Sequence, residues 1–514
     1  MTAKNEINLL SNNNRSTRLI MAFLCFFGCA IVYSLRSNLS FAIVCMVKDN
    51  NNNEINNNNK TNNKLFECYQ QKRQKRELNN KILKQESLND TNIVTNFENI
   101  GGADIIIGEF DWSKQLQGQI LGAFFFGYLT SQMLGGLLAN KFGPKIILFF
   151  AILSSSLISI FSPIMARYHV AIFILIRALL GFTQGVIFPA MHSFLSGWAP
   201  PMERGISYAG AQIGNMLVMP LSGILCKYGI DGGWPSIFYL FGIIGLLWCL
   251  IWFLISEDSP QKHKTIKNNE KEYILTSLGK IKENESEIKY SNHSIPLYSI
   301  LTSKPVWAIF IGHFAGDWGS YTMALGIPSF LNDVLGLQLT SMGIISALPY
   351  LAYFAFINIG GHFADKLQQK RIFSTLNCRR LAMLIAFGGQ AIMLIAIGYC
   401  ECYQQNLVIL LLILSTGISG FQYSGFVVNY MDICPELSGF VLGIGNTLSC
   451  LAGLISPLII GWLTPTGSKE EWLLVFYITA FILIFGALIF SLFAIFKFVQ
   501  LALTNCVTTF PSTI

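Results

Sequence analysis

The chain has 514 residues, of which 52% are hydrophobic and only 12% charged, with 40 phenylalanines. That balance excludes both a soluble globular domain and a disordered chain, and it is the composition of a polytopic membrane protein. The net charge of +7 is spread over connecting segments, so it bears on membrane orientation and not on nucleic acid.

Residues 1–18 form a polar tail in which Glu6 to Leu10 reads ExxLL, one residue short of an acidic dileucine sorting signal. The first apolar run, Leu19 to Val47, is too long for a signal-peptide core and lacks a small-residue cleavage site, so it is expected to be helix 1. It carries Arg36, with Tyr33 and Ser40 on the same face. Residues 48–115 are rich in Asn and Lys and are expected to be a disordered loop. Asn59-Lys60-Thr61 and Asn89-Asp90-Thr91 are glycosylation acceptors if that loop is extracytoplasmic.

Further apolar runs of about 20 residues, the length a spanning helix needs, fall at 116–139, 146–166, 170–196, 204–227 and 234–256. A polar, mixed-charge stretch at 257–304 reads as a cytosolic linker with a short amphipathic helix. Six more runs follow at 305–330, 339–364, 379–400, 406–430, 439–463 and 472–497, with a tail at 499–514. The expected fold is therefore all-α: twelve transmembrane helices in two six-helix bundles, 19–256 and 305–498. With both termini cytosolic, the short outer loops hold about three basic residues, Arg167, Lys227 and Lys469, against about twenty on the other side, which follows the positive-inside rule.

The twelve cysteines are scattered, mostly in apolar runs where they act as small hydrophobes. Cys68, Cys400 and Cys402 are placed to meet outside the membrane, with no pairing decided. No Cys/His cluster has metal-ligand spacing, so no metal and no cofactor is expected. No Walker sequence or catalytic constellation is present, which argues against an enzyme or an ATP-driven pump.

The most informative stretch is Arg177 to Arg204. A charge inside a membrane helix costs roughly 2.5–3.5 kcal/mol on insertion scales and marks a candidate functional site. Helical periodicity puts Arg177, Gly181, Gln184, Phe188 and His192 on one band, with Gly181 and Gly185 forming a GxxxG contact surface. The alternative is that Arg177 only ties neighbouring helices together. Helix 7 carries His313 and Asp317 at i and i+4, with Ser320 and Tyr321 beside them, and Asp432 and Glu436 lie near the end of helix 10.

There is also an internal repeat. GLLANKFGPK (Gly136–Lys145) returns 225 positions later as GHFADKLQQK (Gly361–Lys370). This turn resembles the GxxxDxxGRK motif of the major facilitator superfamily, with Asn140 in place of the acid and Pro144 in place of a base. Asn140, Lys141 and Lys145, with Asp365, Lys366 and Asp432, are then the candidate gating residues. More specifically, YSLRSNLSFAIVCMV, QGQILGAFFFGYLTSQMLGGLLA, FPAMHSFLSGWAPPMER and SGFVVNYMDICPELSGFVLGIGNT resemble the anion/cation symporters of solute carrier family 17. That family includes sialin, the vesicular glutamate and nucleotide transporters and the type I sodium-phosphate cotransporters.

The resemblance implies secondary active transport of an anion across a lipid bilayer by a monomer. Sialic acid, an acidic amino acid and phosphate are the candidate substrates, co-transported with H⁺ or Na⁺. A lysosomal, vesicular or plasma membrane would house it. An anion-conducting channel mode and a non-translocating receptor remain as alternatives. Arg36, Arg177 and His192 match the family's anion-binding positions, while Tyr33, Phe124 and Tyr128 are placed either to pack around an organic anion or to serve as core. Gln184 stands where proton-coupled members have a glutamate, and an amide cannot carry a proton. Leu121 and Gly316 replace a histidine and an arginine of the vesicular glutamate carriers, which argues against that branch. Asp317, with His313, becomes the candidate coupling group, expected to face Arg36 and Arg177; a fixed counter-ion or a partner of His313 alone is the other possibility.

Overall fold

The computed structural model describes residues 16–48, 108–199, 204–263, 265–277, 297–400, 404–433 and 438–494. Asn59, Asn89, Cys68, Cys402, Glu436 and the ExxLL sequence lie outside the described residues, as does the 499–514 tail. Among those described, twelve long helices cross the molecule. The first six are α1 Thr17–Met46, α2 Lys114–Phe142, α3 Pro144–Tyr168, α4 Val170–Trp198, α5 Arg204–Tyr228 and α6 Trp234–Ile255. The second six are α7 Lys304–Asp333, α8 Leu339–Gln369, α9 Thr375–Gly398, α10 Gln405–Ile433, α11 Ser438–Leu463 and α12 Lys469–Phe493. Short helices at Asn268–Ser277 and Leu297–Thr302 lie between the halves. Ten spans are apolar enough to cross a membrane by length and composition alone. The other two long helices, α2 and α7, match them in length.

Glycine builds the first bundle. A Cβ on Gly181 of α4 would lie 1.8 Å from the Phe124 carbonyl oxygen, and one on Gly127 of α2 would lie 1.8 Å from that of Ala178. The two backbones therefore touch, as the GxxxG spacing implied, and dispersion between them is close to maximal. The same device joins α1 to α5, where Gly210 abuts Phe26 and Gly214 abuts Ala30. Ser34 and Ser37 of α1 add hydrogen bonds to Gly214 O and Asn215 Oδ1, the second at 2.6 Å. Gly181→Ala is expected to force α4 off α2 at an overpacking cost of about 1–3 kcal/mol. A lowered thermal unfolding midpoint of the purified protein would register it, and an unchanged midpoint would mean that the contact relaxes freely.

The two bundles meet at one end of the molecule, where α1 ends and α2 begins (the loop end). Gly118 and Gly122 of α2 lie against Pro457 and Leu454 of α11, and Gly223 of α5 lies against Leu339 of α8. Lys114 Nζ reaches Asp333 Oδ2 at 2.6 Å between α2 and α7, and the Trp472 indole donates to the same oxygen. Toward the other end, which carries Thr17 and Phe493, His192 and Ser196 of α4 and Tyr423 of α10 are exposed. The interface between the bundles is thus tight at the loop end and looser at the terminal end.

Three features differ from the sequence expectations. The fourth helix breaks at Val186 into Val170–Gly185 and Ile187–Trp198, because Pro189 has no N–H to give the Gly185 carbonyl. The twelfth begins at Lys469, earlier than read, because Ser468 and Glu471 form a capping box, and runs to Phe493. Cys45 and Cys226, read as apolar filler, form a disulfide tying α1 to α5 at the loop end. Cys400, whose pairing the sequence left undecided, is a buried free thiol whose Sγ donates to Ala396 O.

Candidate functional site

Arg177 is 2% exposed and lies in the first half of α4. The close α2–α4 contact at Gly181, one turn on, carries it inward. Its Nη2 donates to the Arg36 carbonyl oxygen at 3.4 Å, its guanidinium lies 5.9 Å from the Phe124 ring, and its Nε has no hydrogen-bond partner among the described residues. Arg36 is enclosed by rings. Its guanidinium carbon lies 4.7 Å from Phe125, 5.0 Å from Tyr321, 5.1 Å from Phe124, 5.5 Å from Tyr128 and 5.6 Å from Tyr33. Each such contact is worth about 0.5–2 kcal/mol, yet a quadrupole does not neutralise a charge. Among the described residues no carboxylate pairs with either arginine. A buried and a half-buried guanidinium, with no counter-ion among the described residues, create a strongly positive, low-dielectric spot.

Gln184 is 1% exposed, two turns past Arg177, and neither of its amide atoms is hydrogen-bonded among the described residues. Below the break in α4, Phe188 meets the Tyr33 ring edge-on at 5.9 Å, and His192 follows, exposed toward the terminal end. The band read from the sequence is therefore continuous in space even though its helix is not.

The opposite wall comes from α7, α8 and α10. Asp317 Oδ2 lies 3.7 Å from His313 Nε2, and His313 Nδ1 is 3.0 Å from the Tyr430 hydroxyl. Tyr321, one turn beyond Asp317, is the ring that stacks on Arg36 from this side. The acid and the arginines are thus joined through an aromatic side chain, and the neighbour of Asp317 among the described residues that can carry positive charge is His313. Gly316 faces α10, where a Cβ would lie 2.2 Å from Gln422 Oε1. The position that holds an arginine in the glutamate carriers is filled here by an amide from across the bundle.

The candidate gating residues separate into groups. Lys145 is tied to the end of α6: its N–H donates to Asp258 Oδ1 at 2.9 Å and its Nζ lies 3.3 Å from Glu257. Gly143, at φ +89°, allows that tight turn, and its Cα faces the Asp258 carboxylate. Asp432 accepts from Arg379 Nε at 2.9 Å within the second bundle. Lys141, Asp365 and Lys366 are exposed. Asn140 lies near the end of α2, in the first copy of the turn.

Sequence reading missed Lys114 with Asp333, because a salt bridge between residues 219 apart has no local signal. Lys114→Ala is expected to loosen the loop end. A part-exposed pair of this kind is worth about 1 kcal/mol, so a cysteine at Ser329, beside Lys114, should label with an impermeant maleimide roughly fivefold faster. No change in rate would remove the pair from any closing role.

The loop end also holds an ion network. Arg167 forks to Glu109 and contacts Asp231, and that hydrogen bond first, then the nearby charge, holds the Asp231 carboxyl below its usual 3.8. A depressed carboxyl stabilises above its unfolded value and stops doing so as pH falls through its lower folded one. The network is therefore expected to persist in mildly acidic medium and to fail only below about 3.8, measurable as acid-induced loss of thermal stability that Asp231→Asn removes.

The Major Facilitator Superfamily profile matches residues 25–457. The chain belongs to the Major Facilitator Superfamily. Within it, the chain is 47% identical over 484 residues to the uncharacterized transporter slc-17.2 of Caenorhabditis elegans, covering 93% of this chain and 91% of that one. It is 40% identical to human sialin (93% and 89% covered) and 34% identical to vesicular glutamate transporter 1 of Xenopus tropicalis (93% and 74% covered). These place it in solute carrier family 17, among transporters and not enzymes. An inward-facing bacterial homolog of the human lysosomal transporter Spinster shares the superfamily fold at TM-score 0.64 and 14% identity, covering 94% of this chain and 98% of that one. The inward-open xylose transporter XylE of E. coli does so at TM-score 0.59 and 16% identity, covering 93% and 97%. This major facilitator is thus a multi-pass membrane transporter whose relatives point to small anions.

Proposed function

We propose that this chain is a secondary active transporter that moves a small anion by alternating access, coupled to H⁺ or Na⁺. The observation that carries the reading is the pair of inward-facing arginines, half-buried Arg36 and buried Arg177, with no carboxylate partner among the described residues. A carboxylate or phosphate entering between the bundles would offset the desolvation of both, each guanidinium forking to it. Tyr33, Tyr128 and Phe124 would flank an organic substrate, and His192 would meet it on the terminal side. Sialic acid-like acids, acidic amino acids and phosphate all satisfy this chemistry.

Both termini are assigned to the cytosol, with residues 19–256 and 305–498 as the rocking units. The closed loop end would then face outward or lumenal, and Lys114 with Asp333 would part when the bundles rock. Lys145, Lys141 and Asn140, with Asp365, Lys366 and Asp432, belong to the cytosolic gate in this reading. Asp317 and His313 supply the titratable group that Gln184 cannot. Together the two arginines and an ionised Asp317 leave one net positive charge, so a monoanion neutralises the cavity, and a dianion does so only with a co-transported cation. The protein acts as a monomer in a lysosomal, vesicular or plasma membrane.

Uptake into proteoliposomes of the purified protein tests this. Accumulation of an anion above equilibrium under a pH or Na⁺ gradient is the expected result. Potential-following flux without accumulation would assign the channel mode, and binding without flux would make the chain a receptor.

A further inference from the structure

The wall opposite the arginines has a chemistry of its own. Asp317 places a carboxylate there whose side chain is about one-fifth exposed, at 20%, so it is reached from between the bundles. One residue before it, Gly316 meets Gln422 Oε1. Gln422 is 2% exposed, and its Nε2 donates to the Tyr353 hydroxyl at 2.7 Å. Its Oε1 is left with no donor among the described residues. A buried amide oxygen without a donor costs about 1–3 kcal/mol unless something electropositive meets it.

The surrounding groups are oxygen-bearing and lack fixed positive charge. Tyr353 and Tyr423 pack edge-on at 6.2 Å beside Gln422, and Tyr430 holds the far nitrogen of His313. Among the described residues the basic side chain in contact is His313, which is uncharged unless protonated. A carboxylate with neutral oxygens suits a singly charged cation. Ca²⁺ takes six to eight oxygen ligands and Mg²⁺ a near-ideal octahedral set, more than these three oxygens supply, and among the described residues no three His, Cys, Asp or Glu side chains gather as transition metals require.

We infer that Asp317, Gln422 Oε1 and the Tyr353 hydroxyl form a site for a monovalent cation, facing the arginine pole across the cavity. The inference rests on the anion-transport reading and deepens it: the cavity is bipolar. Its cation comes either from solution, as Na⁺, or from the substrate, as the ammonium of a zwitterionic acid. With either, the positive charge sits against the carboxylate while the anionic group sits between Arg36 and Arg177. Tyr321, which extends from the acid's helix to the Arg36 guanidinium, separates the poles and keeps them from collapsing onto each other.

The test uses the purified full-length protein and its thermal unfolding midpoint, first with NaCl against choline chloride at fixed ionic strength. The second arm compares glutamate with its 2-hydroxy analogue, which lacks only the ammonium. A rise with Na⁺ over choline identifies the free ion as the source, and a rise with glutamate over the hydroxy acid identifies the substrate ammonium. In either case Asp317→Asn should lose the cation response while still responding to the hydroxy acid, phosphate or sialic acid. Gln422→Met should weaken the apparent cation affinity about tenfold. Should Asp317→Asn not yield monodisperse protein, Gln422→Met decides alone. The site is refuted if neither cation source shifts the wild type, or if the response survives in these variants. A cation response with no response to any anion would instead sink the anion reading and leave this site standing.

Discussion

Arg177→Lys is expected to lose most transport while the protein still inserts and folds. Lysine keeps the charge but not the planar fork, and its shorter reach forfeits the contact to the Arg36 carbonyl. One lost charge-assisted hydrogen bond costs about 1.5–3 kcal/mol, which is roughly 10- to 150-fold in affinity. Because Arg177 is buried at 2% exposure, solvent cannot replace the missing donor. Initial uptake rates, normalised to monodisperse protein, measure this. A rate within twofold of wild type would assign Arg177 to holding α1 and α4 together.

Asp317→Asn is expected to separate coupling from translocation. Gradient-driven accumulation should vanish, whether the driving ion is H⁺ or Na⁺, while equilibrative exchange of substrate persists. The asparagine fits the same space and can still meet His313, so a packing defect is not the expected cause. Exchange and accumulation are read in the same vesicles, with and without the gradient. Accumulation that survives intact would exclude Asp317 as the coupling group, and loss of exchange as well would place it in substrate binding.

Much of this architecture was legible in the chain. A membrane span is a run of apolar residues, so all twelve helices were legible as runs of about 20, and the repeat of the Gly136 and Gly361 turns pointed to the two halves. Arg36 and Arg177 were legible because a charge inside an apolar run stands out. The rings around Arg36 were only partly so. Tyr33 shares its helix face, but Phe125 and Tyr321 arrive on α2 and α7, and their meeting depends on how the bundles close. Gln422 and Tyr353 gave no signal, since a polar residue in a membrane helix says nothing about which helix it will face. The Cys45–Cys226 disulfide was hidden for the same reason, each cysteine lying in an apolar run. The break in α4 was readable in Pro189 and was not drawn, because the apolar pattern runs through it without interruption.

The central claim is that two arginines with no carboxylate partner among the described residues select an anion for transport, and counterflow tests it most directly. Proteoliposomes are preloaded with unlabelled sialic acid, glutamate or phosphate and diluted into trace label of the same compound. The account predicts that labelled anion overshoots equilibrium for at least one of them with the wild-type protein, and that Arg177→Lys shows no overshoot. Overshoot with a neutral sugar of similar size but with none of the anions, or an equal overshoot in the lysine variant, would contradict it.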